Sequence, residues 1–165
     1  MTGPKQRVQV MGIEVEFLAD HPDLTSILAA WFFDQWGQNN PNLSPEILEA
    51  AVKERLNRDF PPLCLVAFHR QKPVATAALK VREMETHPQF EHWLGNVYVL
   101  TDYRRQGIAT LLIRRLLRQA KQIGIRNLYL YTRGQEELYE KLGWQTIEQL
   151  IYHGRQAKIM QQTLR

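Results

Sequence analysis

Cysteine is almost missing from this chain of 165 residues: Cys64 stands alone, so no internal disulfide can form and a reducing cytoplasm is the natural setting. It lies within Leu63-Cys64-Leu65-Val66, a context for a buried structural thiol and not for a nucleophile. Long apolar runs are also lacking. Nothing approaches the roughly 18 residues of a membrane-spanning helix, and Met1 to Val10 carries Lys5 and Arg7 without an apolar stretch behind them, so no secretory signal is expected. There is no internal repeat, low-complexity tract or linker to separate domains. Glycine-rich phosphate loops are missing too: the chain has no Gly-x-x-x-x-Gly-Lys-Ser/Thr, and no strand is followed by three spaced glycines. No set of metal ligands is expected.

What is present is ordinary in amount, with 44% hydrophobic and 23% charged residues, and predicts one soluble domain over 1–165, with a loose tail over 1–9. Alternation in Ile13-Glu14-Val15-Glu16-Phe17 predicts a half-buried strand within Val10–Leu18. Asp20 or His21 reads as a cap, with Pro22 in the first turn of a helix running to about Trp36. Ser44-Pro45 opens a second helix carrying Ile47, Leu48, Ala51, Val52 and Leu56, closed by Pro61-Pro62. Strands follow at 63–69 and 74–81 around a turn at Arg70-Gln71-Lys72-Pro73. A polar loop covers 83–90, and a strand runs from Trp93 to Val99.

Ile108, Leu111, Leu112, Leu116, Ala120 and Ile123 give the next helix a broad apolar stripe, ended by Gly124. A short apolar strand follows at 127–131, suited to a sheet centre, then a short helix at 136–142 closed by Gly143. Two last strands, at 144–152 and 157–164, meet at a turn over His153-Gly154-Arg155. The order β, α, α, β, β, β, α, β, α, β, β implies one mixed sheet with helices on both faces. The strands at 93–99 and 127–131 flank a helix and should therefore run parallel.

Charge is unevenly spread. Arg104, Arg105, Arg114, Arg115, Arg118, Lys121, Arg126 and Arg133 fall between Tyr103 and Gln135 with no acid among them. The rest of the chain then carries 13 basic against 17 acidic residues, a net of −4, although the whole is +4. A strand that stops and feeds a helix leaves backbone N–H groups free at the positive end of the helix dipole. Gly107 and Ala109 at that junction let a ligand approach the backbone. Together these features point to an anion, and specifically to a pyrophosphate.

The junction Arg104-Arg105-Gln106-Gly107-Ile108-Ala109, entered from Val99, resembles the acyl-CoA signature Gln/Arg-x-x-Gly-x-Gly/Ala of the GNAT N-acetyltransferase superfamily. Leu138-Tyr139-Glu140-Lys141-Leu142-Gly143-Trp144 is similar to the family's Tyr-Glu-Lys-x-Gly-Phe block, with Trp in place of Phe. The order of elements matches as well, over nearly the whole chain. The resemblance implies a mostly antiparallel seven-stranded α/β sheet whose central parallel strands splay apart. It implies that pantetheine bonds the backbone near Val97 and Val99, and that Arg104, Arg105, Gln106, Gly107, Ile108, Ala109 and Thr110 bind the cofactor, acetyl-CoA, with the amides from Arg105 to Thr110 holding its pyrophosphate. It implies Tyr139 as the general acid, a role that suits a phenol protonated near pH 7.

The general base does not carry over, because the strand position where some relatives place a glutamate is Trp93. Glu83, Glu85, Glu91, His92 or a water relay remain, the four side chains reading as solvated loop residues. The family's asparagine seven positions before the tyrosine is Thr132. Specificity is implied to reside in the first two helices and last strands, where Trp31, Trp36, Asn39, Tyr152 and His153 fall. The expected reaction is acetyl transfer to a primary amine of a small molecule or peptide, a cationic one suiting the acidic balance outside the cofactor segment. A homodimer is compatible with this reading. A non-catalytic CoA sensor is the alternative within the fold, and a nucleic-acid-binding module using the Arg114/Arg115/Arg118/Lys121 face is the alternative outside it.

Overall fold

A strand of alternating residues needs a partner on one side only, whereas a strand apolar on both faces needs cover above and below. Both types meet in the sheet of this computed structural model, which describes residues 12–165. The tail expected over 1–9 and the start of the Val10–Leu18 strand lie outside those residues. Among the described residues seven strands are formed: β1 (Ile13–Phe17), β2 (Leu63–His69), β3 (Lys72–Lys80), β4 (Trp93–Val99), β5 (Asn127–Thr132), β6 (Gln145–Tyr152) and β7 (Arg155–Thr163). Their order across the sheet is β1-β2-β3-β4-β5-β7-β6. All neighbours are antiparallel except β4 and β5, as the element order predicts.

Four α-helices cover it: α1 (Thr25–Phe32), α2 (Pro45–Lys53), α3 (Ile108–Ile123) and α4 (Glu136–Lys141). Ile108, Leu112, Ile113, Leu116 and Ala120 of α3 are buried against one face together with Leu65, Leu79, Leu94, Leu128 and Leu130. Helices α1 and α2 cover the other face at its β1–β4 end, over Cys64, Val66, Phe68 and Ala78. Leu116 is wholly buried, so Leu116→Ala should cost about 3 kcal/mol through lost burial and the cavity left behind. Urea denaturation followed by circular dichroism checks this; a loss under 1 kcal/mol would mean that α3 is not the anchor of this core.

Several boundaries differ from the sequence reading. His21 gives no side-chain cap, its Nε2 lying 3.2 Å from Glu16 Oε1. The first helix starts at Thr25 after 3₁₀ turns, and at Phe33–Gly37 it widens to a π turn. A Cβ at Gly37 would sit 2.6 Å from the Phe33 ring, and Trp36 is pushed outward, 47% exposed. The second helix keeps its Ser44 cap, which accepts from the Ile47 amide at 3.1 Å, but ends at Lys53. Beyond it the Asn57 side-chain amide donates to the carbonyls of Glu54 and Pro62 at 2.9 and 2.7 Å, satisfying groups a longer helix would have used. The β2–β3 turn is only two residues, Arg70 and Gln71, at φ 50 and 67, and Pro73 lies inside β3. Gly124, at φ 101, closes α3 as expected, with the Ile125 amide donating back to the Ala120 carbonyl at 3.0 Å.

Candidate active site

Parallel strands that stay paired form a bond at every second residue. β4 and β5 form a single pair, Trp93 with Tyr129, and the Tyr129 amide donates to the His92 carbonyl at 3.1 Å. Beyond that point β4 keeps its outer partner β3 up to Val99–Ala75, and β5 keeps β7 up to Thr132–Lys158. The two inner edges part, leaving a wedge in the centre of the sheet lined by unpaired backbone groups, which suits an extended amide chain. The strand is bent here by a bulge. Between Thr76–Tyr98 and Ala78–Gly95 the register slips, and Asn96 takes φ 49 with its Oδ1 buried and unpartnered among the described residues. Asn96 went unnoticed in the sequence, although a lone glycine inside a strand, Gly95, is the usual sign of a bulge or a close approach. Val97 and Val99 follow the bulge, half-buried against the α3 core.

The wedge opens toward the glycine loop. A 3₁₀ turn at Thr101–Tyr103 leads into Arg105 at φ 63 and Gly107 at φ 83, ψ 8. Left-handed residues alternating with ordinary ones form a concave nest of N–H groups. It lies directly before the 16-residue α3, whose first turn has no side-chain cap and no acid. Ile108, Ala109 and Thr110 begin that helix, and the first helical bond runs from the Leu111 amide to the Gly107 carbonyl at 3.0 Å. The loop is tied down from both sides. Arg104 Nε donates to the Val99 carbonyl at 2.8 Å, with its guanidinium 5.8 Å over the Tyr98 ring; Tyr103 Oη and His69 Nδ1 are 3.0 Å apart. Gln106 Nε2 donates to the Asp102 carbonyl at 3.4 Å. The geometry makes Arg104 a brace for the loop. Arg114, Arg115, Arg118 and Lys121 are all exposed and add a diffuse positive field to one helix face.

Tyr139 projects from α4 into the core that also holds Val97 and Val99, its ring edge-on to Trp144 at 6.2 Å. Burial alone pushes its phenol up to about 12, so the proton is retained throughout the neutral range. Thr132 is committed elsewhere, its Oγ1 accepting from the Gln135 amide at 3.2 Å. Cys64 is fully buried, 3.0 Å from Thr76 Oγ1, with its thiol raised by that burial.

The four side chains left as bases separate clearly. Trp93, where a glutamate might have stood, is buried and donates Nε1 to the Phe90 carbonyl at 2.9 Å. Glu91 and His92 face each other at 3.8 Å on the surface. Glu85 is exposed; the Tyr152 hydroxyl donates to it at 2.7 Å, holding its carboxyl below the usual range, and His153 Nε2 is 3.3 Å away. Glu83 differs from the solvated residue expected: its side chain is 17% exposed and accepts from Lys80 Nζ at 2.8 Å. The partly buried Lys80 and the buried Arg55 are charges that sequence reasoning did not anticipate. Of the specificity candidates, Tyr152 is buried, Trp31 stacks on Tyr98 at 5.3 Å, and Trp36 and His153 are exposed. Among the described residues no group of three or more His, Cys, Asp or Glu could hold a metal, and no helix is long and apolar enough to cross a membrane.

Comparison with known proteins is consistent with this geometry. Residues 22–144 match the acetyltransferase (GNAT) family. The chain is 32% identical over 99 residues to the N-alpha-acetyltransferase MAK3 of Arabidopsis thaliana, covering 57% of this chain and 50% of that protein; it thus spans about half the length of that curated relative. The fold matches an aminoglycoside 6'-N-acetyltransferase complexed with coenzyme A, with TM-score 0.72 and 19% identity over 94% of this chain and 98% of that one. It also matches the ribosomal-protein-S18-alanine N-acetyltransferase of Escherichia coli, with TM-score 0.67 and 25% identity over 92% and 94%.

Proposed function

The chain belongs to the acetyltransferase (GNAT) family, and from that premise we propose that it is a single-domain N-acetyltransferase moving the acetyl group of acetyl-CoA to a primary amine by direct attack in a ternary complex. The observation that carries this reading is the coincidence of a wedge between β4 and β5 with an uncapped helix start at its mouth. The wedge accepts the pantetheine arm along the backbone near Val97 and Val99. The amides from Arg105 to Thr110 bind the pyrophosphate, Gly107 and Ala109 leaving them bare, while Arg104 braces the loop. Tyr139 donates to the sulfur as it departs. With its lone thiol buried and free, the protein suits a reducing cytoplasm.

The acceptor is a primary amine of a small molecule or peptide. Thermal shift with acetyl-CoA, CoA and an oligonucleotide tests the cofactor. Stabilisation by acetyl-CoA and not by DNA is expected; the reverse would replace the enzyme with a nucleic-acid-binding module using the basic face of α3. Free-thiol release with a panel of a free-α-amino peptide, a polyamine and an aminoglycoside then tests transfer. Binding of acetyl-CoA without turnover on any of them would favour a CoA sensor.

A further inference from the structure

A glycine in a strand is needed either for its backbone angles or for the space it leaves. Gly95 of β4 does not take a positive φ, so space is the issue. A Cβ built there would stand 2.5 Å from Glu83 Oε2 and 2.8 Å from Lys80 Cδ, closer than atoms pack. The carboxylate of Glu83 therefore rests directly on the backbone of β4, in a niche that a side chain at Gly95 would force it to leave. Gly95 pairs with Ala78, which faces the α1/α2 side of the sheet. The niche is thus on the face opposite α3, two residues past Trp93, where β4 and β5 separate. No other carboxylate of the 83–92 segment is placed this way.

We propose that Glu83, seated over β4 by the absence of a side chain at Gly95 and held by Lys80, is the carboxylate that docks the acceptor ammonium and takes its proton. This rests on the transferase reading above. The surroundings fit the role. Lys80 of β3 and Arg55, which follows α2, face the carboxylate as cations, and burial loosens the protons of both. Burial first and then the charge of Glu83 raise the phenol of Tyr131 of β5; the phenol of Tyr152 of β6 is raised by burial first and then by its hydrogen bond to Glu85, Glu83 adding the least, so neither competes as an anion. Glu85 is the only other carboxylate acting on those two tyrosines, and it is exposed. A partly buried ion pair of Glu83 with Lys80 at 2.8 Å, with the buried Arg55 as a further positive charge acting on it, is an arrangement a purely structural site could replace with apolar packing at no loss, and such perturbed clusters mark functional sites.

The step balances as follows. The acceptor ammonium gives one proton to Glu83, which later releases it to solvent. The neutral amine forms the new C–N bond, the C–S bond breaks, the sulfur takes the Tyr139 proton, and the nitrogen returns its second proton to Tyr139.

Glu83→Gln keeps the volume and the contact with Lys80, and Gly95→Ala displaces the carboxylate without altering it. With the panel amine of highest turnover, Glu83→Gln should lower kcat/KM about 100-fold. Gly95→Ala should lower kcat/KM about tenfold, and the double variant should be no worse than Glu83→Gln alone, because both changes remove one function. Acetyl-CoA affinity should stay within about twofold of wild type in all three variants, a control that the fold survives. Wild-type kcat/KM in Glu83→Gln, or losses that multiply in the double variant, overturns this assignment while leaving transfer intact. Acetyl-CoA binding with no wild-type turnover on any panel amine overturns the transferase reading and this one with it.

Discussion

Gly107→Glu is expected to abolish acetyl-CoA binding, an affinity loss of about a thousandfold or more, while the protein stays folded. Gly107 takes φ 83 and ψ 8 and is exposed. A side chain there costs about 1–2 kcal/mol of backbone strain and meets no core. The greater effect falls on the ligand. Charge-assisted hydrogen bonds contribute about 1.5–3 kcal/mol each, and a carboxylate at the mouth of the nest both covers the N–H groups and repels a diphosphate. Losing two or three of them removes about 4–6 kcal/mol, hence the thousandfold. Gly107→Ala separates the two contributions, keeping the strain but only part of the obstruction, and should retain most binding. Calorimetric titration with acetyl-CoA, with circular dichroism as a fold control, decides this. Wild-type affinity in Gly107→Glu would place the pyrophosphate elsewhere.

That loop was legible in the sequence because every determinant of it is local. A strand ending at Val99, a turn, one glycine and an apolar stripe from Ile108 to Ile123 are contiguous, and α3 forms within those bounds. The stripe and Gly124 specify the helix independently of the rest of the chain. Where contiguity fails, so does the reading. Helix α2 stops at Lys53 because Asn57 and Pro62, further along, are hydrogen-bonded in a way that apolar spacing does not encode. The two-residue turn at Arg70–Gln71 lacks the Asn-Gly pair that normally announces left-handed angles, so the β2–β3 hairpin looks longer from the sequence than it is.

The chemical half of the site depends on distant residues. Glu83 belongs to a polar segment and reads as solvated; it is partly buried only because β3 and β4 pair with Trp93 opposite Lys80 and Gly95 opposite Ala78. Register of this kind is a tertiary property. Its one sequence trace is Gly95 itself, a residue with no conformational need to be glycine. Tyr139 was found by motif and not by physics, since an aromatic on a six-residue helix is more simply explained by packing against Trp144.

Tyr139→Phe is expected to lower kcat about 300-fold with acetyl-CoA affinity unchanged, since the ring still packs on Trp144 and only the hydroxyl is lost. The phenol at about 12 is a weak acid beside a thiol near 8.5. Giving its proton outright to a finished thiolate would run uphill by about 3 to 4 pK units, roughly 5 kcal/mol. The hydroxyl is effective only if transfer is coupled: it donates to sulfur as the C–S bond lengthens and recovers a proton from the attacking nitrogen, which becomes strongly acidic once bonded to carbon. A phenolate then never accumulates, and burial, which penalises the anion, enforces that coupling. The pH dependence follows. A group raised to about 12 stays protonated up to that region, so kcat should show no falling limb from Tyr139 below about pH 11, and Tyr139→Phe should shift the profile downward without changing its shape. A wild-type basic limb between pH 8 and 10 that vanishes in Tyr139→Phe would contradict burial as the controlling influence, and wild-type turnover in that variant would remove the acid role.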